Sequence, residues 1–274
     1  MSPSVFFDDK KHRLIYLRSS ATREFWDQHW HDYGNSPAEL SPLLTRLKRL
    51  FPLRDFVFST TAKYLSPGHA VLDGGCGQSE HVRRLSAAGY QASGVDFARN
   101  TVTEVTRRYP NLDVTVGDVR ALPYPDCSFD GYWSLGVIEH FWNGYDDIAS
   151  EAYRVLKPGG YLFLTFPTMS PLRKIKRLMR CYPVWAPREE PDDFYQFALD
   201  SGKVTDVFQD LGFSLITKTG VDGAKGIRDE VLAPLLPNTS STAASIWSRG
   251  LNLLLDTATR RWAGHLALLV FRRT

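Results

Sequence analysis

A cluster of glycines at residues 74–77 stands between an apolar, strand-like run and a helix-like one: Val71-Leu72-Asp73-Gly74-Gly75-Cys76-Gly77-Gln78-Ser79-Glu80. Glycines let the backbone turn tightly and approach a ligand with no Cβ in the way. A strand, a glycine turn and a helix in that order form the context a nucleotide-binding loop requires. The residues around the turn decide which ligand it suits. A dinucleotide loop needs glycine at position 80 and sets pyrophosphate at the helix N-terminus; Glu80 would repel it. Asp73, at the end of the strand-like run, suits a cation better than a phosphate. Asp96 follows 23 residues later in Gly94-Val95-Asp96, where a carboxylate accepts from both ribose hydroxyls. Asp118, in Gly117-Asp118-Val119, is positioned in sequence to accept from an adenine amino group.

The ligand so described has an adenosine, a positive charge and no phosphate. S-adenosylmethionine fits, and an NAD-dependent oxidoreductase is disfavoured. The ordered set VLDGGCG, GVDF, GDVRALPYPDCSFDGYWSLGVIEHF and EAYRVLKPGGYLFLTFP resembles class I S-adenosylmethionine-dependent methyltransferases of the type 11 group over residues 65–170. SLGVIEHF and the Phe194-Tyr195-Gln196 segment are similar to methyltransferases encoded with bacterial surface-polysaccharide genes. The resemblance implies that Asp73, Gly74, Gly75, Cys76, Gly77, Gln78, Asp96, Phe97, Asp118, Val119, Ser134 and Leu135 line the cofactor. Within that set Gly75 and Gly77 would face the methionine moiety, Asp96 the ribose, and Asp118 with Val119 the adenine. One departure is Ser79, where the family often has a third glycine; serine is small and suits a helix cap. The plain alternative is that the glycines serve the turn alone and the aspartates merely end strands.

Methyl transfer is an in-line displacement, so alignment and exclusion of water are most of the task. A hydroxyl acceptor also gains from a general base, and histidine titrates near pH 6.5. Glu139 and His140 fall just after the apolar run ending at Leu135, and ligands in open α/β sheets sit beyond the carboxyl ends of the strands. His140 is the first candidate base, with Glu139 and Tyr195 as further catalytic or pocket candidates; each could instead only pack. Some relatives bind a divalent cation through Glu-x-x-Glu-His here. Gly136 replaces the first glutamate, so no metal is expected.

These residues need a scaffold. Strands are expected at 70–74, 91–96, 112–116, 129–135, 161–166, 213–219 and 266–272, and helices at 79–88, 99–109, 146–156 and 204–211. Alternation of this kind marks a parallel sheet with crossover helices. The resemblance adds a Rossmann-like α/β sheet of seven strands, helices on both faces and the last strand antiparallel. Residues 1–65 read as an N-terminal helical cap on a methyltransferase domain at 66–274, with insertions at about 168–200 and 223–262 shaping a substrate pocket.

Composition sets the outer limits. The chain has 274 residues, 43% hydrophobic and 23% charged, with net charge +3. Disordered, collagen-like and coiled-coil classes are excluded. So slight a charge, with no Asn-Pro-Pro-Tyr motif, argues against nucleic acid. No apolar run approaches the roughly 18 residues of a membrane span, and no secretory signal opens the chain. Three cysteines without a CxxC pair suggest a reducing cytoplasm. The stretch 172–180 carries five basic residues among apolar ones. It would suit an anionic acceptor, or peripheral contact with a membrane surface. The function expected is methylation of a small molecule, first an oxygen of a sugar or glycan intermediate. The alternatives are a lipid, quinone or secondary metabolite acceptor, or a methyltransferase fold kept as a binding subunit.

Overall fold

The computed structural model describes residues 4–35, 56–186, 189–232, 256 and 258–274. Parts of the expected cap (36–55) and of the second expected insertion (233–255) lie outside the described residues. A seven-stranded mixed sheet has the order β5-β4-β3-β6-β7-β10-β9, with its last strands antiparallel. The strands are β3 (Ala70–Gly74), β4 (Gln91–Asp96), β5 (Asp113–Val116), β6 (Phe129–Leu135), β7 (Leu156–Pro167), β9 (Phe213–Val221) and β10 (Leu266–Arg273). A separate three-stranded sheet joins β1 (Ser4–Asp8), β2 (Arg13–Leu17) and β8 (Phe194–Ala198). The chain divides into two compact units, 22–135 with 150–162 and 273–274, and 1–21 with 136–149 and 163–272.

In the first unit β3 pairs in parallel with β4 and β6, and β4 with β5. That register brings Gly74 beside Val95 and Ser134, so three strands end together. Helix α3 (Glu80–Ala87) buries Val82 and Leu85 and turns its arginines outward. Helix α4 (Arg99–Arg108) buries Thr101, Val102 and Val105, and its closing arginines complement the helix dipole. Each such buried aliphatic side chain contributes roughly 1.5–3 kcal/mol. Trp133 is fully buried in β6, and its indole N–H donates to Thr61 Oγ1 at 2.9 Å. Thr61 lies on α2 (Phe56–Tyr64), and α1 (Arg23–Asn35) precedes it. The expected stop at Lys157-Pro158 holds for α5 (Asp146–Val155), but β7 begins at once at Leu156, five residues before Tyr161.

Residues 4–17 are strands rather than the expected helix. Asp8 pairs with Arg13 in register, and its Oδ1 accepts from the amides of Lys10 and Lys11, closing a four-residue turn with no glycine. The Arg13 guanidinium sits 3.4 Å from the centre of the Phe197 ring and binds Asp8 Oδ2 at 3.2 Å. Strand β8, also unexpected, supplies Phe197 and pairs with β2. Helix α6 (Pro171–Leu178) starts on Ser170, whose hydroxyl accepts from Arg173 N, with proline at its first position. Helix α7 (Ser201–Asp210) is capped by Asp200 through Gly202 N at 2.8 Å.

Candidate functional site

The glycine turn is held by its own backbone and by one carboxylate. Gly75 N and Cys76 N donate to the carbonyl of Val95 at 2.8 and 3.1 Å, tying the loop to β4. Gly75, Gly77 and Ser79 have φ of 82°, 46° and 56°, all left-handed. Asp96, 4% exposed, accepts from Gly77 N at 2.8 Å with one oxygen and from Ala98 N at 2.9 Å with the other. Each oxygen keeps a second lone pair for a ligand hydroxyl. Cys76 is buried, and its Sγ lies 2.8 Å from where a Cβ on Gly94 would stand, so the thiol fills a packing gap.

Ser79 corrects one expectation. It precedes α3, but in the left-handed region and without a side-chain cap. Its hydroxyl turns back to Cys76 Sγ and the Gly77 carbonyl, both at 3.3 Å. The backbone there keeps a left-handed shape that glycine adopts freely, at a strain cost of roughly 1–2 kcal/mol for an L-residue.

Helix α1 packs on the loop through Trp30, a contact that the sequence analysis did not foresee. The Trp30 ring lies 2.5 Å from where a Cβ on Gly77 would be. The side-chain amide of Gln78 donates to the Trp30 carbonyl at 3.0 Å. On that side Gly77 permits packing of α1 rather than approach of a ligand. Asp27 of α1 accepts from both N and Oγ1 of Thr101, at 3.0 and 3.2 Å. The aromatic run from Phe25 to Trp30 was the available signal, but its partner lies 47 residues on.

Asp73, at the foot of the turn, is 2% exposed, and its Oδ1 has no hydrogen-bond partner among the described residues. Burial, and then the nearby Asp96 charge, push its pKa up to about 7. Asp96 is also raised, by burial, against the amides of Ala98 and Gly77. The Ser134 hydroxyl at the end of β6 is likewise buried without a partner. Orphaned polar atoms at the meeting of three strand ends fit a ligand that donates hydrogen bonds and carries positive charge. S-adenosylmethionine has both properties. Asp118 is engaged by Arg120, whose Nε lies 3.0 Å from Oδ1 and whose Nη2 lies 2.6 Å from Oδ2; those bonds hold its pKa down. The expected adenine contact therefore competes with a two-pronged ion pair. Val119 is buried beside it, and Phe97 is half-buried with the Arg23 guanidinium 5.9 Å from its ring. Leu135, the last residue of β6, is half-buried.

In the second unit Glu139 and His140 lie in a single 3₁₀ turn, Ile138–His140. His140 Nδ1 is 2.7 Å from the carbonyl oxygen of Tyr195, and the two rings meet edge to face at 5.3 Å. The structure thus joins His140 to Tyr195, through the backbone of β8 rather than the phenol. Glu139 is 2% exposed, its Oε2 has no partner among the described residues, and burial pushes its pKa up to about 8.

Residues 72–164 match the family described as methyltransferase domain. A probable S-adenosylmethionine-dependent methyltransferase of Mycolicibacterium smegmatis is 30% identical over 166 residues, covering 59% of this chain and 58% of that protein. A demethylmenaquinone methyltransferase of Renibacterium salmoninarum is 29% identical over 170 residues, covering 57% and 71%. The chain spans little more than half the length of the first of these. The crystal structure of an S-adenosylmethionine-dependent methyltransferase from Archaeoglobus fulgidus matches in fold, with TM-score 0.51, 18% identity, and 92% and 95% of the two chains covered. Residues 72–164 thus match a methyltransferase domain, and that domain with its ordered motifs and its sheet is similar to class I S-adenosylmethionine-dependent methyltransferases.

Proposed function

We propose that the chain transfers a methyl group from S-adenosylmethionine to an oxygen of a small-molecule acceptor. The observation that carries this reading is the buried Asp73, its Oδ1 unpartnered where β3 enters the glycine turn. When bound, S-adenosylmethionine supplies an electrophilic methyl group on a sulfonium. Asp73 and Ser134 would hold its charged end, and Asp96 its ribose. Asp118 would reach the adenine once it is released from Arg120. His140 follows β6 by five residues and takes the acceptor's hydroxyl proton at Nε2. Its Nδ1 donates to the Tyr195 carbonyl, which fixes the tautomer such a base needs. Glu139 stays protonated beside it and keeps negative charge away from the imidazole.

The acceptor of first choice is a sugar or glycan intermediate, supported by SLGVIEHF and the Phe-Tyr-Gln segment of β8. A lipid or quinone acceptor is the second reading, favoured by the likeness to a demethylmenaquinone methyltransferase. The domain at 66–274 binds the cofactor, and the insertions at about 168–200 and 223–262 supply the acceptor side. All three cysteines are free, which suits a reducing cytoplasm. The test incubates the protein with methyl-labelled S-adenosylmethionine and two acceptor sets, nucleotide sugars and isoprenoid quinols. Label in the first set supports the first reading, and label only in the second replaces it. Cofactor binding with no labelled product from either would leave a binding subunit.

A further inference from the structure

The three most exposed large apolar side chains among the described residues lie within seven positions: Leu178 (72%), Met179 (69%) and Val184 (62%). Ile175, one helical turn before Leu178, is 44% exposed. They are not on a loose segment. The inner side of α6 is fastened by Arg173, 1% exposed, which donates through Nε to Glu230 Oε1 at 2.7 Å. Lys176 Nζ and the Tyr182 hydroxyl reach the other oxygen of Glu230 at 2.7 and 2.6 Å. Beyond α6 the chain is pinned to β1, Phe7 N donating to the Pro183 carbonyl and Trp185 N to the Phe7 carbonyl, both at 2.8 Å. A fixed scaffold therefore presents these apolar side chains to solvent.

The segment that carries them is basic, and acidic Glu189, Glu190, Asp192 and Asp193 follow it. Residues 171–186 contain five arginines and lysines and no acidic residue. Arg173 and Lys176 are spent on Glu230, whereas Lys174, Arg177 and Arg180 lie outward, the first two also meeting Asp200 and Asp9. Beside them a cleft of about 560 Å³ has Phe7, Met169 and Leu178 in its lining, with Lys174, Arg177 and Lys203 set against Asp200 and Asp206. We propose that this face, from Lys174 to Val184, docks onto the surface of an anionic lipid bilayer. The apolar tips enter the boundary between headgroups and acyl chains, and the cations meet lipid phosphates. Among the described residues no helix is long and apolar enough to cross a membrane, so the contact lies on the surface.

The proposal is independent of the methyl-transfer reading, because its test needs neither cofactor nor acceptor. The full chain is sedimented with vesicles of phosphatidylcholine alone or mixed with phosphatidylglycerol. The mixed vesicles are expected to pellet the protein in a salt-sensitive way, and the neutral ones at least tenfold less. The Lys174→Gln/Arg177→Gln/Arg180→Gln variant should bind the mixed vesicles about a hundredfold more weakly. Leu178→Glu/Met179→Glu should also lose binding while keeping its thermal midpoint. Both variants alter outward-facing groups, and an unchanged circular-dichroism spectrum checks their folding. Absence of vesicle binding by the wild-type chain would overturn the proposal, as would unchanged binding by both variants. A wild-type dimer that Leu178→Glu converts to monomer would also overturn it, assigning the face to a second copy.

Discussion

The imidazole Nδ1 of His140 and the backbone carbonyl oxygen of Tyr195 stand 2.7 Å apart. A carbonyl only accepts, so Nδ1 carries the proton. An imidazole so oriented is held by main chain, which survives any change of the side chain at 195.

Tyr195→Phe should therefore keep turnover within a few-fold, whereas His140→Ala should lower kcat by roughly 10²–10⁴-fold, the usual worth of a general base. Affinity for S-adenosylhomocysteine should change little in either. Steady-state kinetics on the acceptor found in the labelling screen checks both. A Tyr195→Phe loss as deep as that of His140→Ala would transfer the role to the phenol.

Asp96→Ala removes two acceptors from the amides of Gly77 and Ala98 as well as the proposed ribose contact. S-adenosylhomocysteine should bind more weakly by about 1.5–3 kcal/mol, the scale of hydrogen bonds to a charged group. Calorimetric titration reads this directly, and an unchanged dissociation constant would take Asp96 out of the site.

Ser79 occupies a left-handed conformation without capping α3. Ser79→Gly relieves strain but frees the unfolded chain, so its stability should stay within about 1 kcal/mol of wild type. Ser79→Val, β-branched at the same φ, should cost clearly more, about 2 kcal/mol. Urea unfolding of the two variants side by side tests the backbone reading; equal stabilities would contradict it.

The pH dependence follows from Asp73, whose folded pKa of about 7 lies above its ordinary value. The stability linked to that shift is full below about pH 4 and is lost as pH rises through 7, because the buried carboxylate is costly once ionised. A cationic ligand reverses the preference. Affinity for S-adenosylmethionine should rise between pH 6 and 8, with proton release on binding, and the slope should vanish in Asp73→Asn. Titrations in buffers of differing ionisation enthalpy measure the proton. A flat profile in the wild type would mean that Asp73 does not face the charge.

The strands β3, β4 and β6 could be read to the residue because each is a short apolar run closed by glycine, aspartate or a turn, a local signal. The hairpin of β1 and β2 could not. Its turn, Asp9-Lys10-Lys11-His12, lacks glycine and is closed by Asp8, and its outer partner β8 lies some 180 residues away. The same distinction holds at the candidate site. Asp73, Asp96 and the glycines are candidates by order and spacing, whereas Trp30 reaches Gly77 only through tertiary packing. Asp118 was legible as a strand-end carboxylate but not as the partner of Arg120, since nothing in Asp-Val-Arg distinguishes a solvated arginine from one folded back.

The measurement closest to the central claim is calorimetric titration of the purified chain with S-adenosylhomocysteine, with NAD in a parallel run. The site built from Asp73, the glycine turn and Asp96 predicts one site with a low-micromolar dissociation constant, about −8 kcal/mol, and no heat from NAD. Binding of NAD, or of neither ligand, would contradict it.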